Sequence, residues 1–137
     1  MREILFKAKR ADNGEWVTGY YIKSIVDCSV FGYIRESIFG TDIKIMLNTL
    51  CQYTGLKDKN GNLIWENDVV KATVRQNSLC QSSTYSDFYQ VSYHEKNCYF
   101  YLKKKNNNLL FDGNLSYYLK TIEVIGNIFD NPELMNE

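Results

Sequence analysis

The dipeptide Asn60-Gly61 lies between two strand-like runs, Tyr53-Thr54 before it and Leu63-Ile64-Trp65 after it. Asn and Gly tolerate positive φ, so the pair predicts a tight hairpin turn with primed geometry. Asn67 and Asp68 then form a further turn signal, and Val69, Val70, Ala72 and Val74 open another strand. The stretch from Cys51 to Val70 therefore folds a hairpin and launches a new strand almost at once. Asp12-Asn13-Gly14 is a second turn, joining a strand with Ile4, Phe6 and Ala8 on one face to the run Trp16 to Ile22. Both faces of that run carry apolar residues, which predicts cover on both sides. No long stretch has a clean helical period. Dense tight turns and short strands of this kind belong to mainly β folds.

The remaining segments follow the same logic. Residues 24–42 break into short apolar pieces, read as one or two strands with loops. Ile43, Ile45 and Leu47 share a face. The Ser- and Thr-rich run from Gln76 to Asp87 reads as a loop. Phe88 to Glu95 and Cys98 to Lys104 form a third hairpin around Lys96-Asn97, which sets His94 opposite Cys98. A polar loop spans 103–108, and Asp112-Gly113-Asn114 is a turn. Leu115 to Ile128 is strand-rich, interrupted near Gly126. Asn131 caps a short terminal helix over 131–136, with Pro132 at its first position and Glu133 in its first turn. The expected architecture is a single domain over 1–137. It has an N-terminal β-hairpin region at about 1–49, then a small bent antiparallel sheet or SH3-like barrel at about 50–128, then the short C-terminal helix.

Composition narrows the function classes. Lys and Arg together number 16, as do Asp and Glu. A formal charge of zero argues against a dedicated phosphate-backbone binder and leaves room for a local basic patch. There are 11 Tyr, a residue suited to half-buried pleated surfaces. The four cysteines, at 28, 51, 80 and 98, form no close-spaced pair, and His94 is the single histidine. Structural zinc sites use close-spaced ligand pairs, so no metal is expected. There is no nucleophile elbow, phosphate-binding glycine loop or dinucleotide fingerprint, and no enzymatic activity or cofactor is expected. The start, Met1-Arg2-Glu3, runs directly into a strand pattern, and no apolar run is long enough to cross a membrane. The expected location is the cytoplasm, with reduced thiols.

Two groups of side chains are candidate sites. Asp58, Glu66 and Asp68 cluster in sequence, and clustered carboxylates can bind a divalent cation for hydrolysis. They sit in turn signals, where Asp bonds local backbone N–H groups, and that structural role is favoured. The second group is aromatic. Tyr89 and Tyr93 share a face of one strand, while Tyr99, Tyr101 and Lys103 share a face of the next. This segment is either core with solvated tyrosines, a protein-binding patch, or a stacking surface for single-stranded nucleic acid. The preferred reading is a non-enzymatic binding or accessory module whose partner is a protein, copies of itself included.

The run QYTGLKDKNGNLIWENDVVK (52–71), the later EVIGNIFDNPEL (123–134) and the opening MREILFKAKRADNGEWVTGYY together resemble the YopX family of bacteriophage and prophage proteins. On this resemblance Gln52, Tyr53, Thr54, Gly55, Asn60, Gly61, Asp68, Gly126, Asn127 and Pro132 form a structural signature. Two positions depart from the family pattern, which tends to place Gly where Cys51 and Asn67 stand. The second departure implies positive φ at Asn67, since Asn is the commonest substitute for Gly there. The resemblance implies a mainly β fold, a phage or prophage origin, a bacterial host cytoplasm and no established activity.

Overall fold

A computed structural model describes residues 1–77, 82–104 and 114–136, with side chains outside the description at 74–77, 82, 83 and 85. The chain is mainly β and divides into two compact units, Met1–Gly55 and Leu56–Glu137.

In the first unit, β1 (Phe6–Lys9), β2 (Trp16–Val26), β3 (Ser29–Arg35), β4 (Ile43–Lys44) and the start of β5 (Cys51–Lys57) line up as β4-β3-β2-β1-β5. The pairings among β1 to β5 are antiparallel, with Ala8 opposite Val17, Ile34 opposite Tyr21 and Ile43, and Lys7 opposite Cys51. Ala8, Val17, Ile34 and Ile45 form the buried core, and Phe6, Tyr21, Ile43 and Leu50 pack around it. Burying one such Ile side chain contributes about 1.5–3 kcal/mol. The other face of β1 is amphipathic: the ammonium groups of Lys7 and Lys9 lie 4.8 and 5.5 Å from the centre of the Trp16 ring. The expected cover on both faces of Trp16 to Ile22 is not found. Val17 and Gly19 are buried, whereas Thr18 and Tyr20 are exposed. The apolar surface of Tyr20 is tolerated singly at a wet face.

In the second unit, β6 (Leu63–Trp65) follows β5 in the first sheet's order, since β5 itself runs on into this unit. β7 (Asp68–Asn77), β8 (Ser82–His94), β9 (Tyr99–Lys103) and β10 (Glu123–Asn127) form a separate antiparallel sheet ordered β10-β7-β8-β9. Its core is Ile64, Val70, Ala72, Tyr89, Val91, Leu102, Leu115 and Ile122.

Four expectations change. The SH3-like barrel over 50–128 is replaced by open sheets. Among the described residues the end strands of each order do not pair, and closure requires that they do. The terminal helix is a single 3₁₀ turn, Pro132–Met135, with Pro at its start and Glu133 in its first turn. The run expected as a loop is strand from Ser82 onward, because long β7 offers it a partner. Thr73 lies opposite Ser86, their hydroxyls 2.9 Å apart. Leu115–Tyr118 is a 3₁₀ turn rather than a strand. The predicted loop and turn at 105–113 lie outside the described residues.

The turns also differ in type. At Asn60-Gly61 only Gly61 has positive φ (83°). Gly61 N–H donates to Asp58 O (3.0 Å), and Asp58 N–H to Asn62 O (2.8 Å). This is a type I turn closed by a left-handed glycine, not a primed two-residue turn. A two-residue loop with both residues at positive φ occurs instead at Asp27 (48°) and Cys28 (64°), between the paired Val26 and Ser29. There a Cβ opposes the left-handed conformation that Gly adopts freely. Cys28→Gly is expected to raise stability by about 1 kcal/mol. Gly61→Ala, with open space around the new methyl but φ of +83°, is expected to lower it by a similar amount. Urea denaturation of the two variants measures both signs.

Candidate functional site

The signature residues of the second unit form one hydrogen-bonded knot. Asp58 is buried, 6% exposed. Its Oδ1 accepts from the N–H groups of Asn60 (2.9 Å) and Asn62 (2.8 Å). Its Oδ2 accepts from Asn62 Nδ2 (3.3 Å) and from Val124 N–H (3.0 Å), which lies on β10. Burial alone pushes this carboxyl up. The bonds from Val124, Asn62 and Asn60 outweigh it and hold the group below the usual carboxylate range. Asp68, 2% exposed, accepts from Trp65 N–H (2.8 Å) and closes the β6–β7 corner. The positive φ expected at Asn67 is found, at 68°. Its N–H donates to Val91 O (2.8 Å), its O accepts from Ile128 N–H (3.1 Å), and its Oδ1 accepts from Gln90 Nε2 (3.0 Å).

The C-terminal signature completes the knot. β10 shifts register between Val124 and Gly126. A Cβ on Gly126 would lie 2.4 Å from Asn131 Oδ1 and 2.8 Å from its Cγ, so a larger residue would have to displace the Asn131 side chain. Asn127 Oδ1 accepts from the N–H groups of Phe129 (3.0 Å) and Asp130 (2.9 Å). Asn131, expected as a helix cap, makes no side-chain cap bond to the 3₁₀ turn; its Oδ1 accepts from Asn127 N–H (3.3 Å). In the first unit's part of β5, Cys51, Tyr53 and Thr54 are buried, and Gly55 has φ of +83°. Tyr53 N–H donates to Leu5 O (2.9 Å).

The five aromatic-site residues do not lie together. Residues opposite each other in an antiparallel pair point to the same face. Val91 opposes Leu102 and Tyr93 opposes Phe100, so Tyr89 and Tyr93 face the core side. Tyr89 is buried, 1% exposed, and Tyr93 packs edge-on against Phe100 at 5.1 Å. Tyr89 is thus removed from the candidate surface, because its strand position carries the core stripe. His94 opposes Tyr99, Ser92 opposes Tyr101 and Gln90 opposes Lys103, which puts these on the other face. There the His94 and Tyr99 rings stack at 5.3 Å and 8°, and Tyr101 meets His94 edge-on at 5.6 Å. His94 does not face Cys98: Cys98 lies in the loop with φ of 56°, and His94 Nδ1 accepts from Asn97 N–H (3.3 Å). The single histidine was legible; its place in a ring cluster was not, because the loop length sets the register.

The exposed apolar surface of the first unit was also missed. Ile25, Val26 and Val30 stand exposed at the tip of the β2–β3 hairpin, and Ile38 and Phe39 in the loop after β3. Their signal was apolar residues persisting on both faces beside Asp27-Cys28. Elsewhere in that unit a 380 Å³ cleft is lined by Arg10, Asp12, Thr41, Asp42 and Lys44. Its two carboxylates are ion-paired, Asp12 with Arg10 at 2.8 Å and Asp42 with Arg35 at 2.7 Å, and the Lys44 ammonium lies 5.0 Å from the centre of the Phe31 ring. Among the described residues no three His, Cys, Asp or Glu side chains group to hold a metal ion. No described helix is long and apolar enough to cross a membrane.

The family model described as YopX protein matches residues 5–136. A solved structure, the crystal structure of protein EF1440 from Enterococcus faecalis, is similar over 98% of this chain and 99% of that one. Its TM-score is 0.57 at 23% sequence identity, a likeness of fold. Among curated proteins, none matches the chain.

The knot predicts a pH-dependent stability. Asp58→Ala strands several buried N–H donors and is expected to cost about 2–4 kcal/mol at neutral pH. The native carboxyl sits below its unfolded value of about 3.9, so its contribution is full above that pH and is lost as pH falls through the folded value. Urea titrations of both proteins should show the gap narrowing below about pH 4.

Proposed function

The chain belongs to the YopX family, and on that footing we propose that it is a non-enzymatic binding module, a phage or prophage product acting through protein contacts in a bacterial host cytoplasm. One observation carries the reading. Ile25 (65% exposed) and Val30 (45%) pair across β2 and β3, with Val26 (53%) beside them, and Phe39 stands 92% exposed nearby in sequence. Single exposed apolar residues are ordinary, whereas a paired apolar hairpin tip is a surface that gains by being covered. Each side chain of this size contributes about 1.5–3 kcal/mol when fully buried. Among the described residues Cys28, Cys51 and Cys98 are not joined in a disulfide, and the Cys51 thiol donates to Thr49 O, which fits a reducing compartment.

The partner is a protein, and a second copy of the chain is one such partner. Light scattering and sedimentation of the purified chain, alone and with proteins retained from host extract, test this. The wild type should self-associate or hold a defined partner. Ile25→Ser with Val30→Thr should weaken that association about tenfold or more while leaving the melting temperature near its wild-type value, because both residues are exposed. A strict monomer that retains nothing overturns the reading.

A further inference from the structure

We infer that the face of the second unit's sheet bearing His94, Tyr99, Tyr101 and Lys103 binds single-stranded nucleic acid. The inference stands apart from the protein contact proposed for the first unit and rests on different residues.

Register defines the face. Thr73 with Ser86, Lys71 with Phe88, Gln90 with Lys103, Ser92 with Tyr101 and His94 with Tyr99 are opposed pairs, and all point to one side. The opposite side carries the core stripe of Val70, Ala72, Tyr89, Val91 and Leu102. Two properties then coincide. The first is a group of three rings: His94 and Tyr99 nearly parallel at 8°, with Tyr101 edge-on to both, its centre 6.4 Å from that of Tyr99. All three are partly buried and partly open to solvent. Rings presented along neighbouring strands accept unpaired bases by stacking, whatever the base.

The second property is a local charge imbalance that the chain's net charge of zero conceals. Among the described residues, β7, β8 and β9 give this face the exposed cations Lys71 and Lys103 and no carboxylate, while at the β10 edge Glu123 opposes Lys71 on the same face and is ion-paired with Lys59. The acids of those strands lie on the other side. Asp87 opposes Ala72 and is ion-paired with Lys104, and Asp68 is spent on Trp65 N–H. The strip along β8 and β9, which combines the ring group with Lys103 and carries no carboxylate among the described residues, fits a flexible polyanion with exposed bases. An acidic or apolar peptide would use the charge or the rings, whereas single-stranded nucleic acid uses both. Duplex nucleic acid hides its base faces and has no use for the rings.

Fluorescence anisotropy of the purified chain with labelled oligothymidylate and oligouridylate at low ionic strength tests the inference. Both should bind, with affinity falling as salt rises. Tyr99→Ala combined with Tyr101→Ala should weaken binding about 10- to 100-fold, and the same pair changed to Phe should retain it. Lys103→Glu, at an exposed position that leaves folding intact, should weaken binding about tenfold and flatten the salt dependence. Ile25→Ser with Val30→Thr should leave oligonucleotide binding unchanged, which separates this site from the protein contact. No binding at low salt overturns the inference. So do equal affinity for duplex, insensitivity to Lys103→Glu, and a protein ligand that displaces nothing but occupies these rings.

Discussion

A negative charge withdrawn from water holds the second unit together. Isolated, a buried carboxylate is unfavourable by several kcal/mol. Asp58 is compensated by N–H groups from Asn60, Asn62 and Val124, and bonds to a charged acceptor contribute about 1.5–3 kcal/mol each. Two of these shape the turn on which Gly61 closes. The third reaches 66 residues along the chain to β10. A neighbouring backbone bond, Lys59 N–H to Ile122 O at 3.0 Å, reinforces the same junction. A turn that would otherwise be a local feature therefore positions an edge strand of the β10-β7-β8-β9 sheet.

From that edge the constraint passes to the other signature residues. β10 can reach Asn127 only by way of the shift at Gly126, where a side chain would strike Asn131. Asn127 then folds the chain back on itself through Phe129 and Asp130, and Ile128 N–H reaches Asn67. Asn67 in turn binds β8 through Val91 and Gln90. Asn and Asp serve here because a short side chain can stand in for backbone at a turn. The segments that carry the family resemblance are thus the segments that fix strand order, and their acids and amides are engaged in doing so.

The sequence made local chemistry legible and left long-range geometry hidden. Turn residues, the N-terminal hairpin, positive φ at Asn67 and the structural use of Asp58 and Asp68 all follow from what a side chain does to its own neighbourhood. Turn type at Asn60-Gly61 did not, because the Asp58 carboxylate selects type I geometry over the primed one. Closure into a barrel was not legible either, since it depends on which end strands meet. The polar run after Gln76 looked like a loop by composition, yet a partner strand with matching hydroxyls makes it β. The tyrosines were misassigned as one patch for a related reason. Spacing within a strand gives parity within that strand, but parity between β8 and β9 depends on how many residues the loop 95–98 spends.

That parity decides what the surface can do. With His94 opposite Tyr99, the odd-numbered positions of β9 fall on the side away from the core, and Tyr99, Tyr101 and Lys103 go with them. The same register sends Asp87 to the core side, where Lys104 balances it. A loop one residue longer would turn the rings inward and bring Phe100 and Leu102 to solvent. Separation of the β8–β9 rings and Lys103 from Asp87 is therefore a consequence of strand pairing rather than of composition. A chain with equal numbers of acids and bases can still present a strip of one sign along two strands, because alternation across a sheet sorts residues by position, and the knot at Asp58 and Asn67 holds the sheet on which that sorting occurs.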